Sequence, residues 1–561
     1  MKKNLLLFAG IFSFGLLSAQ ESMPFKPFSS QANISDYETY LPEEIVSPPD
    51  LAGVEQDDLE RDHHGYFYRI AKHVLTNFSL QNSGTWSVLA NGDKVWRLKM
   101  TFKDAKGTLL FFENFYLPPG ARMHVYSPDR KQMLGAFTSH NNHESKIFAT
   151  ALMKGESTII EYYEPVEVAG KGSFTINEFG YVYRAANIVE EIDEDDSQIA
   201  PPPPPSDPCE VDVKCPEGTP VADMIRGICR ILVKEGTSTG YCSGSAINNT
   251  NTDCTPYILT AQHCGATSST ADFNAWKFYF NYQKSACGSG SGTTSNVLTG
   301  AALKANSNDV SGSSITKSDF ILCQTNAAFP AAYNIYLNGW NRVNTGSPSG
   351  VSIHHPAGDY KKISTYTSTL TSSGWSTANT HWQVIWAATV SGNGVTEGGS
   401  SGSPIFNDAN LIVGQLSGGS SFCTDLLAPD VYGKFSYSWM SCGSSTNRRL
   451  LPWLDPGGIS GTSLVGRDNT CVAGEEDFEI ENIFSIYPNP VNDVLFIEST
   501  GFNETVHTIL VYDQLGKLIT SLEFNPGRFK KSISVAGFEN GVYNVVVTNG
   551  ERSFTKKFVK L

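Results

Sequence analysis

TEGGSSGSPIFN, residues 396–407, places three glycines and three serines in front of Pro404 and an apolar pair. That composition suits a flexible linker. It suits equally a strained turn whose backbone amides converge on one point, because each glycine removes the Cβ that would block the approach. The stretch alone leaves both readings open; a base, an orienting acid and a suitable compartment elsewhere in the chain would decide between them. Upstream, YILTAQHCG (257–265) is an apolar, strand-like run ending in His263 and Cys264, and TKSDFILCQT (316–325) sets Asp319 ahead of another apolar run. A lone histidine or aspartate is usually structural. Together, His263, Asp319 and the serine loop stand in the chain order His, Asp, Ser, with separations suited to two small β-barrels.

The bulk of the sequence narrows the setting. At 561 residues the chain exceeds one core, and its net charge of −15 argues against sequence-independent nucleic-acid binding, which depends on Lys and Arg neutralising phosphates. MKKNLLLFAGIFSFGLLSAQ reads as a secretory signal over residues 1–19, with an apolar run shorter than the ~20 residues a membrane span needs, so no stable membrane insertion is expected. All eleven cysteines fall between Cys209 and Cys471, which implies a disulfide-stapled domain with at least one thiol left over. No CxxC pair occurs, and His63-His64 and His354-His355 lack a third ligand at a recognisable spacing. These histidines are read as surface or turn residues, and neither a metal nor another cofactor is expected.

Composition divides the chain into all-β segments. Residues 20–200 contain alternating strand-like runs at about 76–166, from GTWSVLANGDKVWRLKMTF to ESTIIEYYEP, read as an independent β domain. EEIDEDD and Pro201–Pro205 follow, so 201–208 is a linker. Residues 209–472 are rich in Gly, Ser, Thr and short β-branched runs, as in barrels or sandwiches. Residues 473–561 read as a separate β-sandwich.

LTAQHC, SDF and GSSGSP resemble the chymotrypsin-fold serine endopeptidases, and specifically the bacterial lysyl endopeptidases. CEVDVKCPEG (209–218), YCSGSAINNT (241–250), NYQKSAC (281–287), IHHPAGD (353–359) and GQLSGG (414–419) are similar to that family's segments in the same order. The resemblance implies a chymotrypsin-like double β-barrel in which Ser401 is the nucleophile, His263 its base and Asp319 the group that orients the imidazole. The amides of Gly399 and Ser401 would form the oxyanion hole. Ser400 stands where many relatives carry an Asp that pairs with a new amino terminus, so activation is expected to require removal of a covering segment. The 76–166 domain is similar to the family's pro-region; a retained binding module is its other reading.

Specificity follows from the same resemblance. Val395, six residues before the nucleophile, cannot pair a cation, whereas PDVYGK (429–434) resembles the family segment whose Asp floors the pocket for the residue before the scissile bond. Asp430 is the matching position, Asp425 the fallback, and Ser417 and Gly418 of GQLSGG are expected to bind substrate. Ser417 replaces a family histidine, which puts the family's alkaline pH behaviour in question. The implied disulfides are Cys209–Cys423, Cys215–Cys287 and Cys242–Cys264. Cys229, Cys254, Cys323, Cys442 and Cys471 are extra, with a Cys442–Cys471 bridge as one expectation.

YPNP (487–490), VYDQLGK (511–517), GVYNVVV (541–547) and KKFVK (556–560) resemble the sorting domain of the type IX secretion pathway. The combined expectation is a monomeric zymogen, exported through periplasm and outer membrane by the type IX machinery to become secreted or cell-surface. It would cleave protein or peptide substrates after Lys. The alternatives are a broader Lys/Arg protease and a surface-displayed adhesin on an inactive protease scaffold. No Lys or Arg occurs between Arg184 and Cys209, so maturation must use Arg184, Lys171 or another protease.

Overall fold

The structure is a computed structural model that describes residues 22, 25–30, 41–62, 66–184, 206–310, 312–470, 484–499, 507–513, 517–524, 529–548 and 553–561. The signal segment, the EEIDEDD run, the polyproline stretch and His63-His64 therefore lie outside the described residues. The chain forms two compact units, Met1–Cys471 and Val472–Leu561.

In the second unit, alternating apolar positions close a sandwich. Ile509 and Val511 in His507–Tyr512, and Val545 and Val547 in Gly541–Thr548, are fully buried, and they share one core with Leu495, Ile497 and Ile533 of the opposing sheet. Four strands form one sheet and three the other.

The first unit begins with another two-layer β structure. One sheet is centred on Lys94–Phe102 and Ser157–Glu164, the other on Ser173–Val182 flanked by Tyr68–Ser79 and Gly107–Tyr116. Its core includes Trp96, Leu98, Phe112 and Phe179. The strands run from Glu43 to Val182, beyond the 76–166 anticipated, and the layer is not independent. Its Tyr68–Ser79 strand pairs antiparallel with Ser238–Ala246 of the next domain, so one sheet crosses the boundary.

That next domain is two antiparallel barrels. In the first, Ile228–Glu235, Ser238–Ala246, Tyr257–Ala261, Phe320–Thr325 and Ala301–Asn306 pair in that order, with Lys277–Phe280 on the outer side of the first strand. In the second, the order is Lys362–Tyr366, Gly350–His354, Pro404–Phe406, Ile412–Gly419, Asp430–Lys434 and His381–Val384. A shared cluster including Leu259, Phe320, Ile353, Phe406 and Trp340 joins the two.

Three disulfides have both cysteines among the described residues, Cys209–Cys423, Cys215–Cys287 and Cys242–Cys264. Closing loops of this kind typically contributes ~2–4 kcal/mol each. The anticipated Cys442–Cys471 bridge is absent. Cys442 is a free, buried thiol facing the Ser318 hydroxyl at 3.1 Å, Cys229 and Cys323 are also free, and Cys254 is disulfide-bonded. Cys471 lies outside the described residues.

Candidate active site

Strand pairing brings the first two site residues together. Ala261 lies opposite Phe320 at the last rung of their ladder, so Gln262-His263 and Asp319 emerge at the same end of the sheet. The Gln262 amide donates to the Asp319 carbonyl, the His263 amide donates to Asp319 Oδ1 at 2.9 Å, and His263 Nδ1 donates to Oδ2 at 2.7 Å. Both side chains are fully buried. Asp319 sits at φ 55°, a left-handed conformation that costs a non-glycine residue roughly 1–2 kcal/mol. It is held there by these bonds and by its own amide donating to Asp309 Oδ2. Burial raises its carboxyl above the ordinary range, and the neighbouring His263 opposes that rise. With the Nδ1 proton committed to Asp319, Nε2 carries the free lone pair, and it has no partner among the described residues.

The serine loop comes from the second barrel and touches Ser243 and Cys264 beside this pair, and the Ser401 hydroxyl makes no hydrogen bond to His263 Nε2. The Ser243 amide donates to the Ser401 carbonyl at 2.8 Å, the Ser243 hydroxyl donates to the Gly399 carbonyl, and the Cys264 sulfur lies 3.8 Å from the Ser401 carbonyl oxygen. The Ser400 and Gly402 amides are spent on Glu397 and Leu416, whereas those of Gly399 and Ser401 make no hydrogen bond among the described residues. Gly399 has φ 95°, and a Cβ there would stand 2.9 Å from the Gly358 amide nitrogen. The opening stretch is therefore a constrained turn, with two alternate amides unspent, rather than a linker.

Ser400 joins a neutral network in place of an ion pair. Its hydroxyl accepts from the Glu397 amide and contacts His354 Nδ1 at 2.8 Å, while His354 Nε2 reaches Ser364. His354 and His355 are fully buried rather than at the surface as their sequence context allowed, and His355 leads into the turn Pro356–Gly358. Burial, reinforced by Lys362, lowers His354 to about 3, so it stays neutral.

Asp430 is also fully buried. Its Oδ2 accepts from Trp386 Nε1 (2.6 Å), Thr396 Oγ1 (2.7 Å) and Ser421 Oγ (2.6 Å), and its Oδ1 accepts from the Ser421 amide (3.1 Å). Asp425 is exposed in a turn with Phe422, and Val395 is core, so neither takes the Asp430 position. Gly418 sits where the ladder to Asp430–Lys434 shifts register. Ser417 is fully buried: its hydroxyl faces Asp319 and lies 3.1 Å from His381 Nε2, so it braces the aspartate. A histidine thus does stand near Asp319, but burial lowers His381 to about 4. The sequence reading missed Trp386, Ser421 and His381, which lie on separate segments and carry no local motif, and gave no role to Thr396 although it opens the serine stretch. Cys242, His263 and Cys264 also bring three metal-type ligand atoms together, but both sulfurs are used in their disulfide.

The N-terminal layer covers this region. Phe67, 1% exposed, belongs to the same apolar cluster as Cys242 and Cys264. A Cβ on Gly240 would come 2.4 Å from the Phe67 ring, and one on Gly398 would come 2.7 Å from that of Tyr68.

Residues 204–433 match the family model described as lysyl endopeptidase, C-terminal domain, and residues 485–561 match the secretion system C-terminal sorting domain. The first match spans His263, Asp319, Ser401 and Asp430, and the second, to a sorting domain, indicates export. A lysyl endopeptidase of Pseudomonas aeruginosa is 29% identical over 260 residues, covering 45% of this chain and 50% of its own length, so the chain spans about half of the curated relative it matches. Among solved structures, the protease Anisep from Arthrobacter nicotinovorans (19% identity, 38% of this chain, 91% of that chain) and the thermostable serine protease AL20 from an extremophilic microorganism (14%, 40%, 95%) each align with a TM-score of 0.27. No helix among the described residues is long and apolar enough to cross a membrane.

Proposed function

We propose that the lysyl endopeptidase domain is a serine endopeptidase that hydrolyses the peptide bond after lysine. The observation that carries this reading is the His263–Asp319 pair, with Nδ1 committed and Nε2 open, beside a turn whose Gly399 and Ser401 amides are unspent. Nε2 takes the Ser401 hydroxyl proton as Oγ attacks the substrate carbonyl carbon, and the resulting imidazolium is stabilised by Asp319. The two amides receive the oxyanion; one such donor is typically worth about 10²- to 10³-fold in rate. The tetrahedral intermediate collapses to an acyl-enzyme as His263 returns the proton to the leaving amine. Water, deprotonated by the same nitrogen, then releases the acid and regenerates Ser401. Asp430 supplies the carboxylate for the lysine ammonium.

In the same reading the chain before Ser206 is a latency domain, and export precedes activation by a cut made by another protease. Arg184 is poorly placed as a cleavage site: its guanidinium bonds to Asp62 and to the Arg69 carbonyl and lies over the Tyr68 ring at 4.1 Å. The test of the function is a peptide-library digest with matured protein. Cuts concentrated after lysine are expected; cuts indifferent to a basic residue would overturn the reading, and no cutting at all would favour the inactive scaffold.

A further inference from the structure

The crowded side of Asp430 bears on which cation the pocket takes, an inference that rests on Asp430 being the pocket floor. A carboxylate oxygen has two lone pairs. Among the described residues, Oδ2 already faces three donors, Trp386 Nε1, Thr396 Oγ1 and Ser421 Oγ, all within 2.7 Å, whereas Oδ1 has only the Ser421 amide at 3.1 Å. One oxygen is filled and the other keeps room for a single strong donor.

We propose that Trp386, supported by Thr396 and Ser421, is a positioning residue that makes the pocket select lysine over arginine by occupying Asp430 Oδ2. A lysine ammonium is a compact point charge that needs one acceptor from the carboxylate, and it can use the outward lone pairs of the two hydroxyls for its remaining protons. Arginine gains its advantage at a carboxylate from two parallel bonds, one to each oxygen. With Oδ2 occupied, the fork reaches only Oδ1, and its second N–H is left unpaired in a desolvated pocket.

Trp386 is the member of the trio that cannot step aside. The Thr396 and Ser421 hydroxyl protons can rotate, but the indole N–H is fixed in the ring plane. That ring is buried in the second barrel's core and meets Tyr432 edge-on at 6.1 Å between centroids. Nor can the carboxylate turn away freely: Oδ1 is backed against Gly419, where a Cβ would stand only 2.0 Å from it.

Trp386→Phe keeps an aromatic ring and deletes the N–H. Matured wild type and variant are compared on two peptides that differ only in Lys or Arg before the scissile bond. The ratio of kcat/KM for Lys to that for Arg is expected to fall at least tenfold in the variant, chiefly through faster cleavage after Arg. Thr396→Val, which removes one hydroxyl with little change of shape, is expected to move the ratio the same way by a smaller factor, and it carries the test if Trp386→Phe does not fold. A purely structural role would lower both values together. Such a parallel loss, or a ratio unchanged in both variants, overturns the inference. Wild type that cuts equally after Lys and Arg overturns it too while leaving Asp430 as the pocket floor; wild type that cuts after neither removes the function on which it rests.

Discussion

Tyr68 lies opposite Tyr241 in the ladder that joins the N-terminal β layer to the first barrel. The pairing runs one residue from Cys242, whose disulfide partner Cys264 follows His263, and it brings Phe67 and Tyr68 onto the approach to the site. The uncut chain is therefore expected to be latent. Phe67→Asp would place a charge in a fully buried apolar cluster and loosen the cover without touching the proposed catalytic groups. Its uncut form should react with an active-site serine reagent at least about tenfold faster than uncut wild type, a loss of about 1.4 kcal/mol of cover. Uncut wild type that reacts as fast as matured protein would contradict latency.

Glu397 and Glu210 form a buried carboxyl pair next to the serine loop. Neither Glu210 oxygen has a hydrogen-bond partner among the described residues, and burial, reinforced by the nearby Glu397, raises its carboxyl well above the ordinary range. Burial raises Glu397 to about 7. Because the folded value lies above the ordinary 4.5, the native state holds more protons than the unfolded one between them, and this contribution to stability is present below about pH 4.5 and lost as pH rises through about 7. Glu397→Gln removes that dependence. The melting temperature of the variant minus that of wild type should increase from pH 5 to pH 8; a constant difference would contradict the assignment.

Cys229, Cys323 and Cys442 are free and buried, and burial lifts the Cys323 thiol to about 12 and the Cys442 thiol to about 11. All three should resist alkylation in the native protein and take the label once the chain is denatured without reduction. Peptide mapping that finds Cys442 linked to Cys471 would contradict this.

How far the sequence could be read depended on how local each feature is. His263, Asp319, Ser401 and Gly399 lie in short segments whose turn chemistry is visible in place, and the implied pairings of Cys209, Cys215 and Cys242 form as anticipated. The surroundings of Asp430 were not legible, because Trp386, Thr396 and Ser421 converge from three segments and, although Thr396 opens the serine stretch, no spacing ties it to the other two. His354 and His355 looked peripheral beside Pro356 and Gly358, yet burial between sheets makes them neutral braces. The pairing of Tyr68–Ser79 with Ser238–Ala246 was hidden for a similar reason: an edge strand's sequence does not name its partner.

Asp430→Asn keeps the shape and deletes the charge. Leaving a lysine ammonium in the pocket without its carboxylate should cost about 3–5 kcal/mol, or roughly 10²- to 4 × 10³-fold in kcat/KM on a lysine peptide. Retention of full activity and lysine preference would place the cation elsewhere.

Activation of Ser401 by His263 is read out by treating matured protein with a phosphonylating serine reagent and mapping the adduct by mass spectrometry, with His263→Ala alongside. Stoichiometric labelling confined to Ser401 is expected in wild type, and labelling slowed by orders of magnitude in the variant. Matured wild type that stays unlabelled at Ser401, or a variant that labels as fast as wild type, would contradict it.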